Sequence, residues 1–537
     1  MERQPLATLV APVPNQLAPP QTLRTNHRRF AAFLSAALTL LALAVHGYHP
    51  YADDGGLYAA GVKRLLNPAL YPQGTAFVLE PMRFSLFAPF VAAVVRLTHL
   101  SLPLALLLLH LASIWATLFA AWLLAARLWP SRAARAGAVV LLACWLSLPV
   151  AGTALVLMDP YLTARSISTP CTLVALSATL DLTELSATQR SRLRSLILIL
   201  AAIAIAAAVH PLMAAYAFAA TLLLAVLRAP NPRLRLIGTS SLIAAAMLLA
   251  AALQATAPAE SAAYRGVALT RTYWYLSRWS WYELIGLLAP LFILGIYAFA
   301  APHRSHLPAR RVLARMALAA GSAAILAAAI FAHAGAESHL IARMQPLRIF
   351  HTVYLVMTLI LGAQLGSSLL RRRARRWAAA VLLLGGTMCL VSLRCFPNSR
   401  HVELPWTAPR NPWTQAFLWV RGHTPQNALF ALDPDYINLP GEDAQCFRAV
   451  AERSALPDYS KDGGEASIAP SLASAWQSGQ LAQQPLRSPA ARNSPLSQAN
   501  LAALAQRNVT WLVLDARART SLDCPYSNAA AKVCRLR

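Results

Sequence analysis

Long apolar blocks separated by short polar turns occupy most of the chain. A helix that crosses a bilayer needs about 20 predominantly apolar residues, and most of the blocks are close to that length. The pattern predicts an α-helical polytopic membrane protein with about eleven transmembrane helices. The predicted spans are 30–47, 103–126, 137–157, 170–186, 196–209, 211–227, 236–254, 284–301, 312–332, 349–370 and 377–395.

The basic residues between the blocks predict the orientation. Arg24, Arg28 and Arg29 precede the first span, and a basic flank of this kind stays in the cytoplasm. Alternation from a cytoplasmic N-terminus places every arginine-rich turn inside, which a single miscounted span would prevent. We therefore expect a bacterial cytoplasmic membrane protein with an extracytoplasmic C-terminal domain. The inner turns carry Arg127/Arg132/Arg135, Arg190/Arg192/Arg194, Arg228/Arg233/Arg235, Arg304/Arg310/Arg311 and Arg371/Arg372/Arg373/Arg375/Arg376.

Composition argues against two other classes of protein. Of the 537 residues, 57% are hydrophobic and 13% are charged, with a mean hydropathy of +0.48. A soluble domain carries about 25% charged residues. The net charge of +26 would suit nucleic acid, but the arginines are spread over short turns and form no contiguous basic face. We therefore expect membrane lipids as partners and no nucleic acid.

The membrane part is preceded by a polar segment and interrupted by one long loop. Residues 1–29 are rich in proline, lack helical periodicity and are predicted to be a disordered cytoplasmic N-terminus. Residues 30–395 form the transmembrane domain, whose first outer loop, 48–102, is unusually long. The apolar segment 84–97 within that loop is short and would break the charge alternation if it crossed the membrane. It is therefore predicted to be an interfacial helix.

Residues 396–537 differ from the rest in being polar and rich in Pro, Ser, Asn and Gln. They are predicted to form a small extracytoplasmic α/β domain. Cys524 and Cys534 lie in this domain, and they either close a small disulfide loop in an oxidising compartment or remain two free thiols. The predicted helices of the domain are 413–421, 472–478 and 498–506, and its predicted strands are 428–432 and 509–514.

The outer loops hold acids and arginines together, whereas the inner turns hold almost only arginine. The arginines of the outer loops are not explained as topology signals, because the positive-inside rule places basic residues on the cytoplasmic side. An anionic ligand would explain them, since a guanidinium matches phosphate with a planar, two-pronged set of donors. The alternative is that each one anchors the interface or pairs with an acid. The candidates, loop by loop, are Asp53, Asp54 and Arg83; Asp159 and Arg165; His210; and Glu337, Arg343 and Arg348.

Asp53-Asp54 is the sharpest of these signals. Adjacent carboxylates at a membrane surface repel each other and gain no packing energy, which favours a functional role over a solvated turn. We favour Asp54 of the two, because the two glycines that follow it let backbone and ligand approach closely. Asp159 is equally well explained as the cap of a helix that begins at Pro160. His210 is explained as a group that satisfies a helix end.

This layout resembles the GT-C class of membrane glycosyltransferases, which use polyprenyl-phosphate-linked sugar donors. The first helix starts in the cytoplasm, and the long outer loop carries Asp53-Asp54 and an interfacial helix. Later outer loops carry the acids Asp159 and Glu337, and an outer α/β domain follows. The resemblance covers essentially the whole chain, through short motifs. The C-terminal domain has no WWD-type acceptor motif of oligosaccharyltransferases, which argues against that subclass.

The resemblance implies a glycosyltransferase that moves a pentose or hexose from a polyprenyl-phosphate donor to an acceptor at the outer membrane face. Asp53 or Asp54 would be catalytic, and Asp159 and Glu337 would hold a divalent metal, Mg²⁺ or Mn²⁺. The rival class is a non-enzymatic transporter or envelope-assembly scaffold. A transporter should show repeats and polar residues near mid-membrane, and neither is clear here. The substrate would be bound by Arg83, Arg165, His210, Arg343 and Arg348.

Overall fold

The computed structural model describes residues 21–184, 186–300 and 308–536. Within these ranges the chain is mainly helical, with one mixed β-sheet near the C-terminus. The predicted disordered segment 1–29 lies partly outside the described residues, and from Gln21 onward it belongs to the first helix. The α-helices are α1 (Gln21–His46), α2 (Asp53–Leu66), α3 (Ala76–Leu79), α4 (Phe87–Thr98), α5 (Leu102–Leu128), α6 (Arg132–Cys144), α7 (Ala164–Leu182), α8 (Gln189–Val209), α9 (Pro211–Leu227), α10 (Pro232–Ala255), α11 (Ala262–Thr270), α12 (Trp281–Phe299), α13 (Ala309–Phe331), α14 (Leu340–Arg343), α15 (Phe350–Leu365), α16 (Ala374–Cys395), α17 (Pro412–His423), α18 (Phe447–Ala451), α19 (Lys461–Ile468), α20 (Ala473–Gln483), α21 (Ser488–Asn493) and α22 (Gln498–Gln506).

Eight helical stretches in the described part of the chain are long and apolar enough to cross a membrane. They are α1 from Arg29, α5, α8, α10, α12, α13, the stretch Leu340–Leu370 around α15, and α16. Helix α10 has no buried residue, as expected of a helix surrounded by lipid, whereas α15 is buried along nearly its whole length. The chain is a multi-pass membrane protein with α15 at the centre of its bundle.

The other three predicted spans coincide with α6, α7 and α9, which are shorter or more polar. Helix α9 has 17 residues, and α7 carries serine and threonine through its buried face. Helix α6 packs against α15, and α7 packs against α5 and α8. All eleven predicted segments therefore correspond to helices of one bundle within the described ranges.

The predicted span 137–157 is wrong over its second half, because α6 ends at Cys144. The chain continues as a tight irregular loop in which Val150 N–H donates to Leu155 O at 2.8 Å. Pro149 has no N–H to donate and cannot continue a helix. Ser147 in this loop bonds instead to the His46 ring at 2.9 Å.

The long first loop folds into α2, α3 and α4. Helix α4 is bent by 93° from the preceding segment Ala76–Met82. Its side chains Phe90 and Leu97 are exposed, which suits the interfacial position expected for 84–97. That position relative to the membrane stays a prediction.

Ion pairs hold several predicted inner turns together at one end of the bundle. Arg127 donates to both carboxylate oxygens of Asp181 at 2.8 and 2.6 Å. Arg228 donates to Glu184 at 3.1 Å. The turns after α5, α7 and α9 therefore lie at one end, as the alternation requires, and the cytoplasmic assignment of that end stays a prediction.

The C-terminal domain is built on a five-stranded sheet of order β2-β1-β3-β5-β4. The strands are β1 (Leu429–Leu432), β2 (Ser454–Ala455), β3 (Trp511–Asp515), β4 (Tyr526–Ser527) and β5 (Ala531–Arg535). β1 pairs in parallel with β2 and β3, and β5 pairs antiparallel with β3 and β4. The predicted strands are β1 and β3, and the predicted helices are α17, α20 and α22. Cys524 and Cys534 form a disulfide, which resolves the alternative left by the sequence.

The C-terminal domain is docked on the long first loop, 48–102. Lys63 of α2 donates to Glu452 at 2.6 Å, and Tyr71 donates to the carbonyl of Arg448 at 2.9 Å. Cys446 N–H donates to Tyr51 O at 3.0 Å. These contacts fix the C-terminal domain along the whole of α2, from Tyr51 just before Asp53 to Tyr71 beyond the last turn.

Candidate active site

A cavity of about 630 Å³ lies between the C-terminal domain and the loops at the end of the bundle opposite to the arginine-rich turns. Its walls come from segments far apart in the sequence, and it gathers most of the residues that the sequence singled out. The predicted site residues that line it are Asp53, Asp54, Arg165, His210, Arg343 and Arg348.

Asp53 and Asp54 form the first turn of α2. Carboxylates are stabilised there by the positive end of the helix dipole, which offsets part of their mutual repulsion. Asp53 has φ of 48°, a left-handed conformation that Asp tolerates better than most residues. The Asp53 side chain is 51% exposed and the Asp54 side chain 31%, so both carboxylates face the cavity rather than the core.

The two glycines after Asp54 serve a different purpose from the one predicted. A Cβ placed on Gly55 would lie 2.9 Å from the ring of Tyr161, and one on Gly56 would overlap the Cβ of Cys446. They allow α2 to approach the loop before α7 and the C-terminal domain. The glycines therefore allow α2 to pack closely against other parts of the protein, whereas the sequence pattern predicted a close approach to a ligand.

The Asp54 carboxylate is held from two sides. Lys461 Nζ donates to Oδ1 at 3.0 Å, and Arg165 Nη1 donates to Oδ2 at 3.4 Å. Asp53 also pairs with Lys461, and it accepts a hydrogen bond from the Tyr161 hydroxyl at 3.0 Å. Both acids are therefore held by positively charged or hydrogen-bonding side chains from other segments.

Arg165 is itself fixed by Asp159. Its Nη2 lies 2.8 Å from each carboxylate oxygen of Asp159, and both side chains are buried. Thr163 donates to Asp159 at 3.1 Å. Burial raises the pKa of Asp159, and Arg165 opposes that shift. Asp159 therefore acts on the cavity through the arginine that it orients.

Arg348, like Arg271 and Arg343 of the same cavity, has no ion-pair partner among the described residues. It lies in the single 3₁₀ turn Pro346–Ile349, and its Nε is buried without a hydrogen bond in that part of the chain. Arg343 beside it donates to the carbonyl of Ile468 at 3.4 Å. A half-buried guanidinium with an unused, buried Nε–H donor favours an anion as its partner.

Helix α19 of the C-terminal domain supplies two charged groups that the sequence did not predict for the site. Lys461 and Glu465 lie one helical turn apart and both line the cavity. Burial lowers the pKa of Lys461 to about 8, and Glu465 opposes that shift. Burial, reinforced by Asp54, raises the pKa of Glu465 to about 8. The Glu465 carboxyl has no hydrogen bond or ion pair within the described residues.

Arg271 was also missed as a site residue. It lines the cavity and fixes the start of α19, because its guanidinium donates to the carbonyls of Ser460 and Tyr459 at 2.9 and 3.0 Å. The signal for α19 was present in the sequence. Lys461 is one of only three lysines, and it lies in a short charged stretch, 461–465, that includes two glycines.

Three predicted site residues do not line the cavity. Arg83 is exposed and pairs with Glu80 at 3.3 Å. Glu337 is exposed, and its carbonyl accepts from Arg265 at 3.1 Å. Asp159 is occupied by Arg165 as described above.

Asp159 and Glu337 do not fit a shared metal site in this arrangement. Both oxygens of Asp159 are engaged by Arg165, and Glu337 lies outside the cavity wall. No group of three or more His, Cys, Asp or Glu side chains suited to a metal occurs among residues 21–184, 186–300 and 308–536. A divalent metal stays an untested expectation, and no step below is assigned to it.

The helical bundle with its C-terminal α/β domain has a GT-C-type fold, and the predicted fold class is confirmed. Arabinofuranosyltransferase AftD from Mycobacteria has the same fold: a mutant form is 15% identical at a TM-score of 0.50, covering 95% of this chain and 41% of that one. Another AftD structure is 15% identical at a TM-score of 0.49, and the match covers 95% of this chain and 40% of that one. The apo oligosaccharyltransferase of Archaeoglobus fulgidus is 13% identical at a TM-score of 0.46, and the match covers 92% of this chain and 70% of that one.

This chain spans about two fifths of the length of the AftD structures. No family model and no curated protein matches it. At this level of identity the likeness concerns the fold, and the chemistry is argued from the cavity itself.

Proposed function

We propose that the protein is a membrane glycosyltransferase that moves a sugar from a polyprenyl-phosphate-linked donor to an acceptor at the outer face of the cytoplasmic membrane. One observation carries the proposal. A pair of carboxylates and an arginine without an acidic partner face one cavity, between the bundle and the C-terminal domain. A base for the acceptor and a cation for the leaving phosphate are the two groups that this reaction needs.

In the proposed reaction, an acceptor hydroxyl attacks the anomeric carbon of the donor sugar. The bond from that carbon to the phosphate oxygen breaks, and the polyprenyl phosphate departs with the bonding electrons. Asp54 takes the proton of the hydroxyl as general base. Arg348 binds the phosphate, which gains negative charge as the bond breaks, and electrostatic stabilisation of this kind is a large part of catalysis.

The neighbouring surfaces suit an amphiphilic donor. Phe84, Pro211 and Leu212 line the cavity together with the charged groups, and Phe84 is 61% exposed. An isoprenoid chain would lie along such apolar side chains while its phosphate reached Arg348. The positive-inside arrangement of the turns supports placing the cavity at the outer face.

The test uses the full chain purified into lipid nanodiscs. It is incubated with polyprenyl phosphates that carry single pentoses or hexoses, including arabinofuranose, for which AftD is named. Acceptor candidates are oligosaccharide fragments of envelope glycans. The expected result is conversion of one donor into free polyprenyl phosphate plus an extended glycan, detected by mass spectrometry.

A transporter would give a different result in sealed vesicles. It would move the lipid-linked sugar between leaflets while the bond from sugar to phosphate stayed intact. Movement of an intact donor, with no free polyprenyl phosphate formed, would contradict the transferase proposal.

A further inference from the structure

Lys461 is the point at which the soluble domain touches the proposed catalytic acids. Its ammonium donates to Asp54 Oδ1 at 3.0 Å and also contacts Asp53. The contact joins residues 407 positions apart in the chain. The Lys461 side chain is only 15% exposed, so water screens these interactions less than it would at the surface.

The backbone that carries Lys461 is rigidly held. Asp458 accepts from the Lys461 N–H at 2.6 Å, and Arg271 binds the carbonyls just before it. Asp462 forms a buried ion pair with Arg448, with distances of 2.6 and 2.8 Å. A lysine is normally a flexible surface group with high rotamer entropy. Here the backbone at Lys461 is held by Asp458 of the C-terminal domain and by Arg271 of the bundle.

Two neighbouring carboxylates in a partly buried site repel each other. The Lys461 ammonium contacts both and offsets that repulsion, while Arg165 of the membrane domain binds the other oxygen of Asp54. Asp159 and Tyr161, in the loop before α7, contact Arg165 and Asp53. The charged and titratable groups that line the cavity around the pair are Lys461 and Glu465 of α19, Arg165 of α7, Tyr58 of α2, Glu80, His210, Arg271, Tyr273, Arg343, Arg348 and Tyr459.

We propose that Lys461 is a positioning residue of the reaction: it orients the Asp54 carboxylate and supplies the positive charge beside it, so that the active site is complete only with the C-terminal domain docked. This inference rests on the proposed transferase function. Lys461 acts through Asp54 and is not itself assigned a bond-making role.

The kinetic test compares Lys461→Gln with wild type from about pH 4 to pH 9. Removing a positive charge that lies 3.0 Å from the proposed base should shift the acidic limb of the rate profile upward by about one unit or more. Lys461→Arg, which keeps the charge, should return the limb toward the wild-type position. An unshifted limb with a uniformly lower rate would mean that Lys461 only supports docking, and would overturn the proposal.

Lys63→Gln is the matched control. Lys63 also joins the first loop to the C-terminal domain, through Glu452 at 2.6 Å, but it does not line the cavity. Its replacement should leave the midpoint of the acidic limb unchanged. If it shifts the limb as Lys461→Gln does, the effect comes from docking alone.

A second readout needs no transferase activity. The chain has three lysines, Lys63, Lys461 and Lys532, so acetylation by acetic anhydride can be followed at each by mass spectrometry. In the Asp53→Asn/Asp54→Asn double variant, loss of both carboxylates should move the pH midpoint of Lys461 acetylation downward by about one unit or more, with the other two lysines unchanged. An unchanged pH midpoint of Lys461 acetylation would refute the contact between Lys461 and the two carboxylates. An inactive wild type with the expected shift would instead refute only the transferase proposal.

Discussion

Replacing Asp54 with Asn removes the charge of the proposed base and keeps the size of the side chain. In the structure both carboxylate oxygens are in use, with Lys461 at 3.0 Å and Arg165 at 3.4 Å. The amide carries no charge, so both ion pairs are lost; its one oxygen can still accept a hydrogen bond from one cation, while its N–H₂ group faces the other. At up to about 1 kcal/mol for each pair, the loss should lower the free energy of unfolding by no more than about 2 kcal/mol.

The expected loss of activity is larger. Removing a general base typically slows a reaction by about 10²–10⁴-fold, which corresponds to about 2.7–5.5 kcal/mol of activation free energy. The rate of donor consumption in nanodiscs, with protein levels matched, measures this directly, and a thermal melt measures the stability. Asp53→Asn should be milder, because that carboxylate is more exposed and Asn can still accept from the Tyr161 hydroxyl.

Asp181→Asn is the control for a general effect of losing an ionised aspartate. Asp181 is 37% exposed and pairs with Arg127 at the opposite end of the bundle. It should retain the wild-type rate. An Asp54→Asn protein that transfers sugar at the wild-type rate, or an equal loss in Asp181→Asn, would refute the assignment of Asp54 as the base.

Three further results are expected. Arg348→Ala should weaken the binding of polyprenyl phosphate, measured by quenching of a fluorescent analogue, by at least tenfold more than Arg373→Ala, an exposed arginine outside the cavity; equal effects would remove the phosphate assignment. The pKa of Glu465 is raised from its usual 4.5 to about 8 by burial, so the folded chain binds this proton more tightly than the unfolded chain does. Its stabilising effect is complete below about pH 4.5 and is lost as the pH rises through about 8. Glu465→Gln should therefore reduce the fall in Tm between about pH 6 and pH 9, and an identical fall would contradict the buried neutral acid. In cells, with exposed Cys395 replaced by Ser, a membrane-impermeant maleimide should label Ser474→Cys from outside and Ser131→Cys only after permeabilisation; the reverse pattern would invert the topology.

The membrane helices were predictable because the bilayer imposes a simple rule. Backbone groups inside it must bond within their own helix, so apolar length and helix position coincide. The rule failed at 145–157, where an apolar segment is buried in protein rather than in lipid. There α6 ends at Cys144, and the chain continues as an irregular loop in which Pro149 cannot extend a helix.

The bundle side of the site was also largely predictable. Asp53, Asp54, Arg165 and Arg348 stood out as charges on the side opposite to the inner arginines, and all four line one cavity. The role of Asp159 was not predictable, because a sequence does not reveal that its carboxylate is buried against Arg165. A metal ligand and a partner of an arginine have the same sequence signal at such a position.

The contribution of α19 could not be derived from one sequence. Lys461 and Asp54 are separated by most of the chain, and no local pattern indicates which face of a soluble domain meets a membrane loop. Prediction found α17, β1 and α22 from periodicity. It could not orient the domain, which depends on interfacial contacts such as the bond from Lys63 to Glu452.

A structure of the protein in lipid nanodiscs with a bound polyprenyl phosphate would test the central claim most directly. We expect the phosphate in the cavity between the bundle and the C-terminal domain, with its oxygens about 3 Å from the Arg348 guanidinium. The isoprenoid chain should lie along Phe84 and Leu212 toward the membrane, and the Asp54 carboxylate should face the same space. A phosphate bound outside this cavity, with Arg348 and Asp54 both distant from it, would contradict the account.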